Sequence, residues 1–237
     1  MAPGLSASCL TLRASNRVSL NERRAATLVV HKSTKDIRKL YNKFARDYDR
    51  VEGTFDVLSG VGRRRDRWFR RARGRVLEVG AGTARTIEAY SRADLVVLTE
   101  LSDKMLRRAS ERVNDTRIVE RIRFLQCDMQ LLPFADRSFD TVVSSQTLCT
   151  VTDPLRALQE MGRVCKRDGI ILLSEHGLSD RHTRVNALLE RYTDLSVTHL
   201  GCHPNRDPET LALAAGLHVV QVQRSLLGIF IWMELAP

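Results

Sequence analysis

The sequence of 237 residues lacks any apolar run that approaches the length of a membrane-spanning helix, about 18 residues, and this predicts a soluble protein without a transmembrane segment. It also lacks a cysteine framework, because its five cysteines are odd in number, scattered and without C-x-x-C spacing. A disulfide scaffold is therefore not expected, and a reducing compartment is favoured. The apolar core of a secretory signal is missing from residues 1–30, which disfavours export.

Acidic residues are scarce in the N-terminal third of the chain. Residues 1–75 contain 19 Lys and Arg against 7 Asp and Glu, whereas the remaining residues contain 19 against 21. Residues 1–30 are rich in Arg and Ser and hold a single acid, the composition of an organelle transit peptide. We expect residues 1–35 to be a disordered or organelle-targeting extension before a domain over 36–237. The mitochondrion is the expected destination, with the plastid, or the cytoplasm if no address is present, as alternatives.

A second basic segment, residues 63–73, surrounds the aromatic pair Trp68 and Phe69. The favoured interpretation is a solvated helix face whose aromatic pair packs on a sheet, since charge runs are usually solvated. The better functional alternative is peripheral contact with an anionic membrane. Nucleic acid is not expected, because no nucleic-acid-binding motif accompanies the run.

The most informative motif is a glycine turn after a predicted strand. Residues 75–79 predict a buried strand with an acid, Glu78, near its end, and Gly80 and Gly82 follow before a predicted helix. Glycine tolerates positive φ and lets a ligand lie on the main chain, so the motif predicts a nucleotide-type cradle. A dinucleotide loop would carry its third glycine where Arg85 stands. Glu78 would repel a pyrophosphate but suits a cationic group, such as the ammonium of S-adenosylmethionine.

Two further predicted strands each end in an acid, Glu100 and Asp128. A carboxylate at Glu100 can accept hydrogen bonds from both ribose hydroxyls, although a helix-cap position is the alternative. Asp128 can accept from an adenine amine while the backbone N–H of Met129 faces the ring. Because ligands of open parallel sheets bind beyond the carboxyl ends of the strands, Glu78, Glu100 and Asp128 are expected to line one crevice.

These motifs resemble those of class I S-adenosylmethionine-dependent methyltransferases, of the type 11 branch that includes quinone C-methyltransferases and phosphatidylethanolamine N-methyltransferases. The resemblance extends from about Tyr41 to the C-terminus. Its late segments, 201–203 and 206–207, are more similar to phosphatidylethanolamine and small-thiol methyltransferases than to the quinone enzymes. Two positions depart from the family pattern: Ala84 replaces the third glycine of the loop, and Glu100 replaces the commoner Asp.

Repeated strand and helix patterns predict an α/β fold with a mostly parallel sheet and helices on both faces. A short final hairpin predicts that the last strand runs antiparallel, and the resemblance implies a Rossmann-like sheet of seven strands. It also implies transfer of a methyl group from S-adenosyl-L-methionine to a small-molecule or lipid-like acceptor by in-line displacement. A nicotinamide-dependent oxidoreductase and a catalytically silent, methyltransferase-fold organelle assembly factor remain the alternatives.

In-line displacement requires mainly a held geometry, and a general base only when the acceptor arrives protonated. His176, directly after the fifth predicted strand, is the candidate catalytic residue, and a loop histidine bonded to backbone is the equal alternative. Gln146, in the segment 144–147, is expected to border the methionine part of the cofactor. This segment is unlike the Asn/Asp-Pro-Pro-aromatic motif of enzymes that methylate adenine or cytosine amines.

No metal is expected, because His199, Cys202 and His203 supply only three ligands at tight spacing. The resemblance implies instead that this loop lines the acceptor pocket. It also implies that Tyr41 and Tyr48 lie on a helical segment that covers the cofactor, with core packing as the alternative for both.

Overall fold

One seven-stranded sheet organises the chain. The computed structural model describes residues 32–114 and 116–237, and the strand order is β3-β2-β1-β4-β5-β7-β6. The strands are β1 (Gly74–Val79), β2 (Ala93–Glu100), β3 (Ile122–Gln126), β4 (Phe139–Ser145), β5 (Cys165–His176), β6 (His218–Ser225) and β7 (Phe230–Ala236). β1 to β5 pair in parallel, and β7 is antiparallel to both of its neighbours. The predicted seven-stranded sheet with an antiparallel last strand is confirmed.

Helices cover both faces of this sheet. They are α1 (Thr34–Phe44), α2 (Tyr48–Ser59), α3 (Val61–Phe69), α4 (Asp103–Val113), α5 (Pro154–Val164), α6 (Thr183–Leu200) and α7 (Pro208–Ala214). Successive strand residues point to opposite faces, so Leu77 packs in a core with Leu158 of α5, while Val76 packs in the other core with Phe69 of α3. The described parts of the chain contain no helix with both the length and the apolar content needed to cross a bilayer.

Helices α4 and α5, which follow β2 and β4, begin at side-chain caps. Ser102 accepts the Met105 backbone N–H at the start of α4, and Asp153 accepts the Arg156 N–H at the start of α5. Pro154 occupies the first turn of α5, where its missing N–H is not needed. These caps fix where each helix leaves the carboxyl edge of the sheet.

The prediction of a helix directly after the glycine turn was wrong. The chain instead forms consecutive turns and then a short 3-10 helix, Ile87–Tyr90. Ala84 has φ of 56°, a left-handed value that an α-helix does not permit, and its N–H is bonded to the carbonyl of Ala81. The backbone therefore turns twice before any helical residue is reached.

The basic run over residues 63–73 includes most of α3. Trp68 and Phe69 are buried against the sheet, and the Trp68 indole donates to the Met233 carbonyl at 3.3 Å. This packing is the one expected for a helix with a solvated basic face. The exposed arginines of the run are Arg63, Arg64, Arg67, Arg70 and Arg73.

Candidate active site

The glycine turn after β1 forms the floor of the site. Gly80 and Gly82 have φ of 65° and 56°, values that favour glycine. A Cβ on Gly80 would lie 2.7 Å from the Thr147 hydroxyl and closer still to the Thr147 methyl group. Gly80 is therefore required both for the turn and for the close approach of the loop after β4.

An open cavity of about 710 Å³ lies above this turn, within the range of small-molecule sites. Helix α1 covers this cavity. The helix is held to the start of α4 because Asn42 donates to Asp103 at 2.8 Å and accepts from Ser102. Tyr41 and Tyr48 both line the cavity. Six of the residues predicted from sequence to bind the cofactor also line it: Gly80, Gly82, Glu100, Asp128, Met129 and Gln146.

Glu100, at the end of β2, is almost fully buried and aims both carboxylate oxygens at backbone donors. One oxygen accepts the Gly82 N–H at 3.0 Å and the other accepts the Ser102 N–H at 2.8 Å. Burial raises the pKa of Glu100, and these backbone hydrogen bonds oppose that rise. Each oxygen retains lone-pair capacity for a hydroxyl in the cavity, since a carboxylate has about four acceptor sites.

Asp128 and Met129 follow β3 and also line the cavity. Gln130, which the sequence analysis did not single out, donates its side-chain amide to both Asp128 oxygens at 2.9 Å. The side-chain amide oxygen of Gln130 in turn accepts the Asp153 backbone N–H at 2.8 Å. Gln130 thus fixes Asp128 to the start of α5, while Met129 supplies an apolar surface.

Glu78 lies in a smaller cavity of about 360 Å³ on the far side of the glycine turn. Both cavities include Gly80, Gly82 and Tyr48, so they adjoin at the turn. Glu78 does not line the same cavity as Glu100 and Asp128, contrary to the expectation from sequence. The Glu78 carboxylate is buried and accepts the Thr86 hydroxyl at 2.7 Å. Burial raises the pKa of Glu78 to about 7, and the Thr86 hydrogen bond limits the rise.

Two arginines that sequence reasoning missed also line the smaller cavity. Arg65 of α3 and Arg85 meet the same buried carboxylate, Asp56, at 2.9 and 2.5 Å. The spacing of the basic residues in the sequence does not indicate this pairing, because Arg65, Arg85 and Asp56 come from separate segments of the fold. The cavity thus presents positive charge beside the Glu78 carboxylate, an arrangement complementary to a zwitterion.

Gln146 lies where the two cavities join. Its φ of 51° is uncommon for a residue other than glycine, and such values concentrate at functional sites. The backbone is held there because its N–H donates to the Ser174 carbonyl at 2.8 Å. Its side-chain nitrogen is buried and has no hydrogen-bond partner among the described residues. A buried donor without a partner is unfavourable, so this amide is suited to a ligand acceptor.

His176, at the end of β5, lines neither cavity; it contacts Cys202 and lies near Cys149. Its Nε2 lies 3.2 Å from the Cys202 sulfur, and the ligand atoms of Cys149, His176 and Cys202 all lie within 4.8 Å of one another. The hydrogen bond from Cys149 lowers the pKa of Cys202, and His176 lowers it further. Burial alone would lower the pKa of His176, but the hydrogen bond and charge of Cys202 raise it.

S-adenosylmethionine fits the groups that line these cavities. The larger cavity offers Asp128 and Met129, which match an adenine, and the Glu100 carboxylate, which matches a ribose. The smaller cavity offers opposite charges around Glu78, which match an amino acid. The unpaired Gln146 amide lies between them. When bound, this cofactor supplies an electrophilic methyl group on a sulfonium.

The sheet order, the glycine turn and the acid at the end of β2 together define a class I methyltransferase fold. A methyltransferase-domain family model matches residues 77–173. A phosphatidylethanolamine N-methyltransferase from Cereibacter sphaeroides is 33% identical over 197 residues, which cover 80% of this chain and 95% of that protein. The chain belongs to the S-adenosylmethionine-dependent methyltransferase family, and its cofactor is S-adenosyl-L-methionine. The family favours methyl transfer over the nicotinamide-dependent alternative.

Two other relatives match less of their own length. A ubiquinone/menaquinone C-methyltransferase, UbiE, from Proteus mirabilis is 33% identical, with 59% of this chain and 58% of that protein covered. The mitochondrial methyltransferase OMS1 from Saccharomyces cerevisiae is 25% identical, with coverage of 82% and 45%. This chain therefore spans about half of either protein.

A solved structure from Haloferax volcanii shows the same fold. It is a complex of a methyltransferase with the activator Trm112, and its matched chain has a TM-score of 0.64 at 19% identity. The match covers 83% of this chain and 97% of that chain.

Cofactor affinity is expected to fall as the pH drops below about 7. A carboxyl group whose pKa is raised to about 7 is largely neutral below that pH, and only its ionised form attracts an ammonium group. The affinity can fall at most about tenfold per pH unit. Calorimetric titration with S-adenosylhomocysteine, which keeps the same ammonium group, measures the profile. Glu78→Gln should flatten it, whereas Glu88→Gln, at an exposed acid, should not; an unchanged profile in Glu78→Gln would contradict the prediction.

Proposed function

We propose that the chain methylates the polar head of a lipid-like, amphiphilic acceptor at a membrane surface. The observation that carries this proposal is an apolar patch on α2, formed by Val51, Phe55 and Leu58, whose spacing of four and three residues places them on one face of the helix. Val51 and Leu58 are 48% and 82% exposed. Large side chains exposed together typically mark a contact surface rather than ordinary solvent-facing positions.

An aromatic path connects this α2 patch to His176. Phe55 stacks on Phe230 at 5.6 Å between ring centroids, and Phe230 lies 5.9 Å from the His176 ring. A hydrocarbon tail would be favoured along the path, because burial of apolar surface is favourable by about 25 cal/mol per Å². The polar head would then arrive beside His176, the residue that we propose as catalytic.

Positive charge borders the α2 patch. Gly60 separates α2 from α3, so Leu58 is followed closely by the exposed residues Arg63, Arg64 and Arg67. Basic residues beside exposed apolar ones are the pattern of a protein that lies on an anionic membrane. We propose this peripheral contact for residues 63–73, with no nucleic-acid partner.

The cofactor residues are proposed with distinct roles. Glu78 faces the ammonium group, Gly80 and Gly82 let the main chain contact the methionine part, and Gln146 donates its free amide there. Glu100 accepts the ribose hydroxyls. Asp128 and Met129 hold the adenine. With the cofactor fixed in this way, orientation of the acceptor supplies most of the acceleration.

The acceptor is proposed to be a phospholipid head-group amine, and the C. sphaeroides relative named for that activity supports this choice. The test is incubation of the full chain with isotopically labelled S-adenosylmethionine and vesicles of phosphatidylethanolamine and an anionic lipid. Parallel reactions contain a small thiol, a quinol or RNA. Mass spectrometry should find the label in the lipid head group. Label only in the thiol, the quinol or RNA would overturn the lipid proposal, and label in none of them would favour the silent assembly factor.

Leu58→Asp is expected to lower methylation of vesicle lipid about tenfold or more. The substitution places a charge in the α2 patch and removes a side chain whose burial contributes about 1.5–3 kcal/mol. Leu213→Asp, on an exposed position of α7, is the matched control and should leave the rate unchanged. Equal rates for both variants, or a loss of S-adenosylhomocysteine affinity in Leu58→Asp, would contradict the role of the patch.

We propose a mitochondrial location for the protein. Its support is the composition of residues 1–30 and the similarity to the mitochondrial OMS1 protein; residues 1–31 lie outside the described part of the chain. A fluorescent protein fused behind residues 1–35 should be imported by isolated mitochondria and not by plastids. Uptake by plastids alone, or by neither, would overturn the assignment.

A further inference from the structure

Two cysteines and a histidine from three separate segments meet at one point of the fold. Cys149 belongs to the turn after β4, His176 ends β5, and Cys202 follows α6. Their ligand atoms lie within 4.8 Å of one another, with 3.2 Å between His176 Nε2 and the Cys202 sulfur. Around zinc, bonds of about 2.3 Å to sulfur and 2.0–2.1 Å to nitrogen place tetrahedral ligands roughly 3.5–3.8 Å apart. Small side-chain movements would bring the three residues to that geometry.

The backbone holds the two cysteine-bearing segments together. The His203 N–H donates to the Cys149 carbonyl at 2.8 Å. The Arg206 guanidinium donates to the carbonyls of Leu148 and Val151, at 2.7 Å for the latter. These bonds join the loop after α6 to the turn after β4 on both sides of Cys149. The site is therefore built by the fold and does not depend on one mobile side chain.

Glu175 fixes the same turn from the β5 side. Its buried carboxylate accepts the backbone N–H groups of Thr147 and Leu148 at 3.0 and 3.2 Å. It also accepts the Ser144 hydroxyl at 2.9 Å. Because Glu175 directly precedes His176, one residue pair positions both the cysteine turn and the imidazole.

We propose that Cys149, His176 and Cys202 bind one thiophilic divalent cation, such as Zn²⁺, through three protein ligands. Two thiolates and an imidazole are the donor set that zinc prefers, whereas Mg²⁺ and Ca²⁺ require oxygen. Coordination would release the thiol protons to solvent. This set differs from His199, Cys202 and His203, since only Cys202 is common to both.

Three protein ligands leave a fourth position for an exogenous donor, as in catalytic zinc sites. Thr147 and Thr150, in the turn that carries Cys149, line the cofactor cavity, so the cation would lie close to that cavity. With the cation bound, His176 is a ligand, and the open position is where the head-group amine of the proposed acceptor would attach. The inference deepens the role proposed for His176, and it rests on the proposed function only for the acceptor at the fourth position. Metal binding itself is measured without any acceptor.

The test is metal binding by the full chain, purified under reducing conditions and freed of metal with a chelator. Titration with Zn²⁺ against a chromophoric chelator should show one tight equivalent, and Co²⁺ should give thiolate-to-metal charge-transfer absorption. Cys202→Ala and His176→Ala should each weaken Zn²⁺ binding by more than about 100-fold, since even outer-shell losses reach 10–100-fold. Cys165→Ala, at a buried cysteine that opens β5, is the matched control and should keep the equivalent.

Melting curves and S-adenosylhomocysteine affinity show whether each variant is folded. The proposal is overturned if the folded wild type binds no Zn²⁺ or if the three variants bind it alike. Failure of metal binding with head-group methylation intact would leave the proposed function standing. Metal binding without head-group methylation would leave the metal site standing and overturn the proposed function.

Discussion

Glu100→Ala is expected to weaken binding of the cofactor by about 1–3 kcal/mol, or roughly 5- to 150-fold, because hydrogen bonds to a charged group are lost. The loss has two sources. The ribose hydroxyls lose their acceptor, and the backbone N–H groups of Gly82 and Ser102 lose the oxygens that hold them at 3.0 and 2.8 Å. Because Gly82 belongs to the floor of the cavity, the substitution also loosens the surface on which the methionine part rests.

Two further substitutions separate these sources. Glu100→Gln keeps one acceptor oxygen and should give an intermediate affinity. Glu100→Asp keeps the charge on a shorter arm and should also bind the cofactor more weakly than the wild type. Glu88→Ala, at an exposed acid of the 3-10 helix, is the control and should bind the cofactor like the wild type. Calorimetry with S-adenosylhomocysteine measures the affinities. Unchanged affinity in Glu100→Ala would remove Glu100 from the ribose site.

The sheet could be predicted because its information is local. Each strand from β1 to β5 contains a short stretch of apolar residues, and alternation of strands with helices restricts the sheet to a parallel arrangement. Placement of Glu100 and Asp128 follows from the same logic, since parallel strands present their carboxyl ends at one edge. The structure places both residues at one cavity, together with Gly80 and Gly82.

The features that sequence reasoning missed depend on contacts between distant segments. The left-handed Ala84 follows from close packing of the glycine turn, and propensity alone favours a helix there. Asp56 joins Arg65 to Arg85 only because α2 and α3 fold against the turn. Since these residues lie in three elements, no spacing in the chain indicates that they share a cavity with Glu78.

The cysteine and histidine cluster shows the same limit. Spacing drew attention to His199, Cys202 and His203, which are close in sequence. The structure instead places Cys202 against His176, 26 residues away. A helix of 18 residues, α6, lies between them, so the contact depends on where that helix returns the chain. A set of ligands that the fold brings together from distant segments therefore cannot be found from residues that are close in sequence.

Gly80→Ala is expected to remove most cofactor binding and to destabilise the fold by about 2–5 kcal/mol. A left-handed backbone with φ of 65° is unfavourable by about 1–2 kcal/mol for a residue with a Cβ. The added methyl group would also overlap Thr147, 2.7 Å from its hydroxyl, and overpacking typically adds about 1–3 kcal/mol. The loop after β4 must then move away, and Gln146 moves with it.

The double variant Gly80→Ala with Thr147→Ala separates the two terms. Truncation of Thr147 removes the two nearest atoms that the new methyl group would meet and leaves only the Thr147 Cβ, at 3.1 Å, so most of the overlap is relieved while the left-handed backbone remains. Unfolding by urea should show the double variant to be more stable than the sum of the single changes predicts, by about 1–3 kcal/mol. Additive effects would mean that Thr147 does not restrict residue 80. In that case the close approach of the two loops would not be what requires glycine at the floor of the site, and backbone conformation alone would account for it.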